Sequence, residues 1–232
     1  MKLAVVLDPH SRSHYDPAEQ GVQADILLTD APKKMHLTSN IRYKNMDALS
    51  KAIDDFYQAS AEVKVPRHID GCPCCIETNT IRLLLATPLR ELAPDDLVSY
   101  AYSALLTVGD CSDYLYFLPR IIEISIREDS WWPDIEVTAR AIHSTDLELW
   151  PLRRREALLL LLLAVIDHIV DSGSYWRIDG WLCAIARMGV NVRPHLAKIE
   201  TNTAAVLQYF EDNAQCLKDG KLCNAFWELP ND

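Results

Sequence analysis

Ten consecutive apolar residues, Ala157 to Ile166, constrain this chain more than any other stretch of its 232 residues. A helix over such a run has no polar side to show to water, so most of its circumference asks for cover. A membrane span would need roughly 20 such residues. Here charge closes in on both sides, with Arg153, Arg154, Arg155 and Glu156 before the run and Asp167 and His168 after it. The pattern predicts a helix from Pro151 to about Val170 at the centre of a buried core, and no membrane anchor.

The rest of the chain reads as helices gathered around that one. Met46, Leu49, Ile53, Phe56 and Tyr57 form one apolar stripe, and further stripes recur down to Phe210. Pro94-Asp95-Asp96 places proline and two acids where a helix start favours them, and Gly109 is a natural end for that helix. Trp132-Pro133-Asp134 and Trp150-Pro151 repeat the device. Pro119 falls inside the helix that begins near Ser112, where a kink or break is expected. Pro194 opens a helix carrying Leu196, Ile199, Thr203, Val206, Leu207 and Phe210 inward. With glycine at only seven positions, hairpins have little to turn on. The predicted class is all-α, with some eight or nine helices arranged as an irregular multi-helix bundle or a HEAT-like α-solenoid, although no fixed repeat is visible.

Residues 1–45 differ from the remainder. Their apolar pieces are short and broken by Pro, His, Ser and Asp, and a poorly ordered extension is expected there, with a single helical domain over 46–232. That first stretch holds six Lys/Arg against five Asp/Glu, so with a net charge of −10 overall the residues from 46 onward carry −11. Such a balance repels phosphate backbones and excludes a basic nucleic-acid groove. It would steer a basic protein partner instead.

Seven cysteines, at 72, 74, 75, 111, 183, 216 and 223, follow no secretory leader, which predicts reduced thiols and a cytoplasmic protein. Cys111 and Cys183 sit in apolar helical patterns, where free thiols pack as small hydrophobes. His68 and the run Gly71-Cys72-Pro73-Cys74-Cys75 are the most chemically pointed stretch. Packing under neighbouring helices is the first expectation for these thiols. Zinc is the second, with His68, Cys72 and Cys75 as ligands and Cys216 or Cys223 supplying a fourth. Thiol redox work at the C-x-x-C spacing is the third. Asp167 and Asp171, or His168 and Asp171, share a helix face and form a weaker candidate for metal or acid–base chemistry.

Trp131 and Trp132 stand near acids such as Asp134, a composition suited to a protein-binding patch. The common nucleophile, phosphate-loop, dinucleotide and zinc-protease motifs are absent. Gly71-Cys72-Pro73-Cys74-Cys75, together with Pro88-Leu89-Arg90-Glu91-Leu92 and, further on, Phe117-Leu118-Pro119-Arg120, resembles a family of uncharacterised bacterial helical proteins with a CPCC loop and a PLREL…DL…FLPR segment. The resemblance covers about residues 46–130 and implies a bacterial cytosolic origin, with no activity attached. The function expected is a non-enzymatic interaction module for a basic partner, similar in kind to toxin-neutralising immunity proteins. The alternatives are a thiol- or metal-dependent enzyme, or a helical protein with a structural zinc at the cysteine loop.

Overall fold

The computed structural model describes residues 48–228. Nine helices and no strand occur among the described residues: α1 (48–60), α2 (Thr78–Ala86), α3 (Pro94–Ser103), α4 (Cys111–Arg127), α5 (Ile135–Ser144), α6 (Leu152–Ser172), α7 (Ile178–Arg187), α8 (Arg193–Glu200) and α9 (Thr203–Leu217). The expectations for residues 1–45, and for Met46 on the first stripe, lie outside the described residues. Packing runs between helices two apart as well as between neighbours. α3, α5 and α7 form one row, while α6 and α8 form another that α9 extends. No helix among the described residues is long and apolar enough to cross a membrane.

α6 is indeed a core helix, but on one side. Leu158, Leu161, Leu162, Val165, Ile166 and Ile169 are buried, whereas Leu160 remains 63% exposed and Leu159 and Leu163 are half-buried. Gly173 ends the helix in the left-handed conformation that glycine adopts without strain, at φ 78°. The expected Pro-first starts shift by a residue or two. Pro151 caps α6 and Asp134 caps α5, so proline lies just outside each helix.

Three predicted helices end differently. α3 stops at Ser103, six residues before Gly109, because Leu105 turns into the positive-φ region and its N–H donates to the Val108 carbonyl. α4 runs through Pro119 without interruption, the proline buried in the helix interior. The long helix expected after Pro194 is two helices: Asn202 leaves helical geometry and its side chain accepts from the Ala205 N–H, capping α9. As a result Leu207 and Phe210 are exposed, at 57% and 59%, where an inward position was expected.

Arginine side chains fasten elements through backbone carbonyls. Arg177 donates to the carbonyls of Ser125 and Ile126, which lack helical partners at the end of α4. Arg187 donates to the Phe226 carbonyl and holds the C-terminal turn Ala225–Trp227. Arg120 donates to the Leu92 carbonyl and to Glu123, which also accepts from Tyr57 at 2.8 Å and from Arg127. Arg90 in turn lies 3.9 Å over the Tyr57 ring and pairs with Asp54. The two separate pieces of the PLREL and FLPR motif thus meet: Arg90 and Leu92 from one, Arg120 from the other, around α1.

Burial pushes the Glu123 carboxyl up, but hydrogen bonds from Tyr57 and Arg120 outweigh it, and the net shift is downward. A carboxyl with a lowered folded-state pKa stabilises fully above its unfolded value of about 4.3 and loses that contribution as pH falls through the folded value. Glu123→Ala, which leaves Arg120 and Tyr57 without their acceptor, is expected to cost about 2–4 kcal/mol by denaturant unfolding at neutral pH. Glu123→Gln should flatten the stability loss that the wild type shows below about pH 4.

Candidate functional site

The cysteine loop is held between two buried anchors, Ile69 and Ile76, at 1% and 3% exposure. The early end of α3 provides its ledge. The Cys72 N–H donates to the Thr107 carbonyl at 2.9 Å, and the Gly109 N–H donates to the Asp70 carbonyl at 2.7 Å. Gly71 bridges Val108 so closely that a Cβ there would lie 2.8 Å from the Ile76 side chain. Cys75 and Ile76 both donate their N–H groups back to the Cys72 carbonyl, which folds the cysteines into one tight turn. Without the break at Leu105, Thr107 and Val108 would be helical and their groups unavailable to the loop.

That turn gathers three sulfurs. Cys72, Cys74 and Cys75 have their Sγ atoms within 4.8 Å of one another, the one such group of potential metal ligands among the described residues. Cys72 and Cys74 approach to 2.6 Å, and Cys74 and Cys75 to 3.6 Å. Cys74 is exposed, with Cys72 and Cys75 half-buried. Packing accounts only for Cys75, which touches the core. The Cys74 thiol donating to Cys72 holds Cys72 below the ordinary thiol range, and Cys74 itself is pushed up to about 11. Of the two, Cys72 is therefore the readier to lose its proton and the better nucleophile and ligand.

The predicted ligand set is therefore revised. His68 donates to the Asp70 carboxylate at 2.8 Å and lies outside the sulfur group, while Cys74 belongs to it. Cys216 and Cys223 cannot complete it, because they form a disulfide with each other across seven positions. The expectation of reduced thiols throughout is wrong for that pair. Cys111 is exposed at the first position of α4, against expectation, whereas Cys183 is buried in α7 and its thiol is pushed up to about 12 by burial. Asp167 is engaged by Lys198 at 3.1 Å, and Asp167, His168 and Asp171 make no metal-ligand group.

The tryptophans of the expected patch are placed apart. Trp131 is partly buried, its indole N–H donating to the Pro94 carbonyl, and it borders a groove with Asp134. Trp132 stands outside that groove, 49% exposed, tilted against Tyr102 at 5.6 Å. Trp150, at the other Trp-Pro helix start, is buried with its indole N–H donating to the Thr145 hydroxyl. An aromatic residue not singled out from the sequence, Trp176, is 63% exposed and lines the same groove. Only a fold that brings Tyr175–Arg177 against the end of α4 places it there.

Compared with protein-family models, curated proteins and solved structures, the chain matches none.

The ledge is open to a direct check. Gly71→Ala, forced against Ile76, is expected to destabilise by about 1–3 kcal/mol in denaturant unfolding and to speed alkylation of Cys72 and Cys75. Cys183 should stay unreactive in the same assay.

Proposed function

We propose that this protein binds a soft metal ion, zinc being the first candidate, on Cys72, Cys74 and Cys75. The observation that carries this reading is the convergence of three sulfurs on one short, solvent-accessible turn. Two thiolates about 2.3 Å from a tetrahedral zinc lie about 3.8 Å apart. Cys74 and Cys75 are already near that spacing at 3.6 Å, and Cys72 and Cys74, at 2.6 Å, would spread once both lose their protons. Structural zinc sites are closed by four protein ligands, and this turn offers three. The fourth position is left to water or to a donor from another molecule, which fits uptake, release or handover of the ion better than a purely structural role. The turn takes up metal only while its thiols are reduced, as a cytosol keeps them, whereas the Cys216–Cys223 disulfide is a bond that an oxidising compartment favours, so the chemistry of the turn does not by itself choose the compartment.

A second reading, the interaction module for a basic partner, rests on the groove of about 370 Å³ between the end of α4 and the start of α5. Trp131 and Trp176 supply aromatic faces and Glu128 and Asp134 supply negative charge, while Asp129 is already paired with Arg177 at 2.8 Å. That combination suits a lysine or arginine side chain from a partner, a basic toxin included.

Cobalt titration, read by thiolate-to-metal charge-transfer absorption with zinc as competitor, tests the first reading. One ion per chain is expected, with affinity rising with pH because the thiols must release protons. Cys74→Ser should weaken binding more than about a hundredfold, since even outer-shell losses cost 10–100-fold. His68→Ala should leave it unchanged. Uptake that needs His68 and not Cys74 would refute the assignment. For the second reading, an arginine nonapeptide should bind with an affinity that falls with salt and falls about fivefold in Trp176→Ala, by fluorescence titration.

A further inference from the structure

As ligands the sulfurs of the cysteine turn would spread around an ion, yet two of them are drawn much closer than that. Cys72 Sγ and Cys74 Sγ lie 2.6 Å apart. A disulfide needs about 2.05 Å, so a side-chain movement of about half an ångström brings this pair to bonding distance. The backbone can stay in place meanwhile. The Cys72 N–H is held by the Thr107 carbonyl, and the Cys72 carbonyl by the N–H groups of Cys75 and Ile76. Cys74 is exposed, so a reagent from solution can reach the pair.

Chain geometry selects which sulfurs can bond. Disulfides span Cα separations of about 4.4–6.8 Å, whereas neighbouring Cα atoms across a trans peptide are about 3.8 Å apart. Cys74 and Cys75 are joined by a trans peptide, so their contact at 3.6 Å does not close readily. Cα atoms two residues apart reach at most about 7 Å and come closer in a turn, which puts Cys72 and Cys74 within the range. Cys75, the C-x-x-C partner of Cys72, packs against the core, and moving its sulfur would cost that contact.

We infer that Cys72 and Cys74 are an exchange-active dithiol, which a low-molecular-weight disulfide such as oxidised glutathione converts to an internal disulfide. One thiol of the pair loses its proton and attacks a sulfur of the reagent. The reagent's S–S bond breaks, a mixed disulfide forms, and the first glutathione leaves as a thiol after taking up a proton. The second cysteine then gives up its proton, attacks the mixed disulfide and releases the second glutathione thiol. The two protein sulfurs are oxidised by two electrons, and the reagent is reduced by the same two. Excess reduced glutathione runs the sequence backwards. The exchange needs no metal, but its consequence for the ion rests on the metal reading above. Closing the bond removes two of the three ligands, so the oxidised turn releases the ion and the reduced turn takes it up again.

The full chain, equilibrated in graded mixtures of reduced and oxidised glutathione, acid-quenched and alkylated, tests this by mass-spectrometric mapping. The turn should carry one internal disulfide, Cys72 to Cys74, with Cys75 alkylated, and its yield should follow the glutathione ratio in both directions. Cys75→Ser should close as the wild type does, and the wild-type map decides the matter if that variant does not fold. Cys74→Ser should lower the yield of internal bond at least about tenfold at a fixed ratio. Mixed disulfides that never close, or a wild-type bond from the pair to Cys75 or Cys111, would overturn the assignment. Cobalt charge-transfer absorption on the reduced and oxidised forms then separates the two readings. Oxidation should weaken cobalt binding more than about a hundredfold. Cobalt held equally by both forms would overturn the release. Reduced protein that closes the pair but takes no cobalt supports the exchange and refutes the metal reading, whereas protein that takes cobalt and never closes the pair refutes the exchange alone.

Discussion

A helix with ten apolar residues in a row must be covered on nearly every side, and the packing around α6 is the response to that demand. α7 and α8 lie against it, and the 3₁₀ turn Tyr175–Arg177 crosses its end. Each fully buried leucine or isoleucine on it contributes about 1.5–3 kcal/mol, so the five of them, Leu158, Leu161, Leu162, Ile166 and Ile169, outweigh any local preference of the segments that cover them. Two neighbouring rows of helices do not enclose a cylinder completely. The uncovered part of the circumference is where Leu160 meets water and where Leu159 and Leu163 border a cavity of about 840 Å³.

Around that centre, long side chains perform a second task, the closing of helix ends. Buried or partly buried carbonyls need donors, and several connections in this fold are too irregular to supply backbone ones. Arg120, Arg177 and Arg187 meet the need by reaching to Leu92, to Ser125 and Ile126, and to Phe226. The guanidinium is suited to it because its donors are fixed in a plane and it holds its charge when partly buried. The PLREL and FLPR residues belong to this structural layer. They join α1, the turn Leu89–Glu91 and α4 through Arg90, Tyr57, Glu123 and Arg120, at a distance from the sulfur turn.

The sulfur turn depends on an interruption. Val108 has the spacing to extend α3, yet it serves the protein by leaving the helix, turning back and pairing with Gly71. That pairing orients Cys72, and the Cys72 carbonyl then collects the N–H groups of Cys75 and Ile76. A C-x-x-C spacing draws attention to Cys72 and Cys75. The same turn also brings the intervening C-x-C partner, Cys74, to Cys72, and the spacing in sequence does not distinguish these geometries. His68 is near in sequence but is occupied by Asp70.

What the sequence determined by itself is the set of helices and the sides they bury, because apolar period, proline and capping residues act within a few positions of one another. The stripes of α1, α3, α4, α6 and α7 were legible for that reason, as was the cysteine loop as a place of chemistry. Ends and partners were decided by tertiary structure. Leu105 breaks α3 to meet a loop more than thirty residues earlier, Asn202 starts a new helix, and Cys216 finds Cys223 rather than the CPCC turn. Trp176 joins Trp131, and His195 joins Leu163, only after the rows are stacked. A groove or a cavity belongs to no single segment: its walls come from elements distant in the chain, and local periodicity carries no information about which of them will meet.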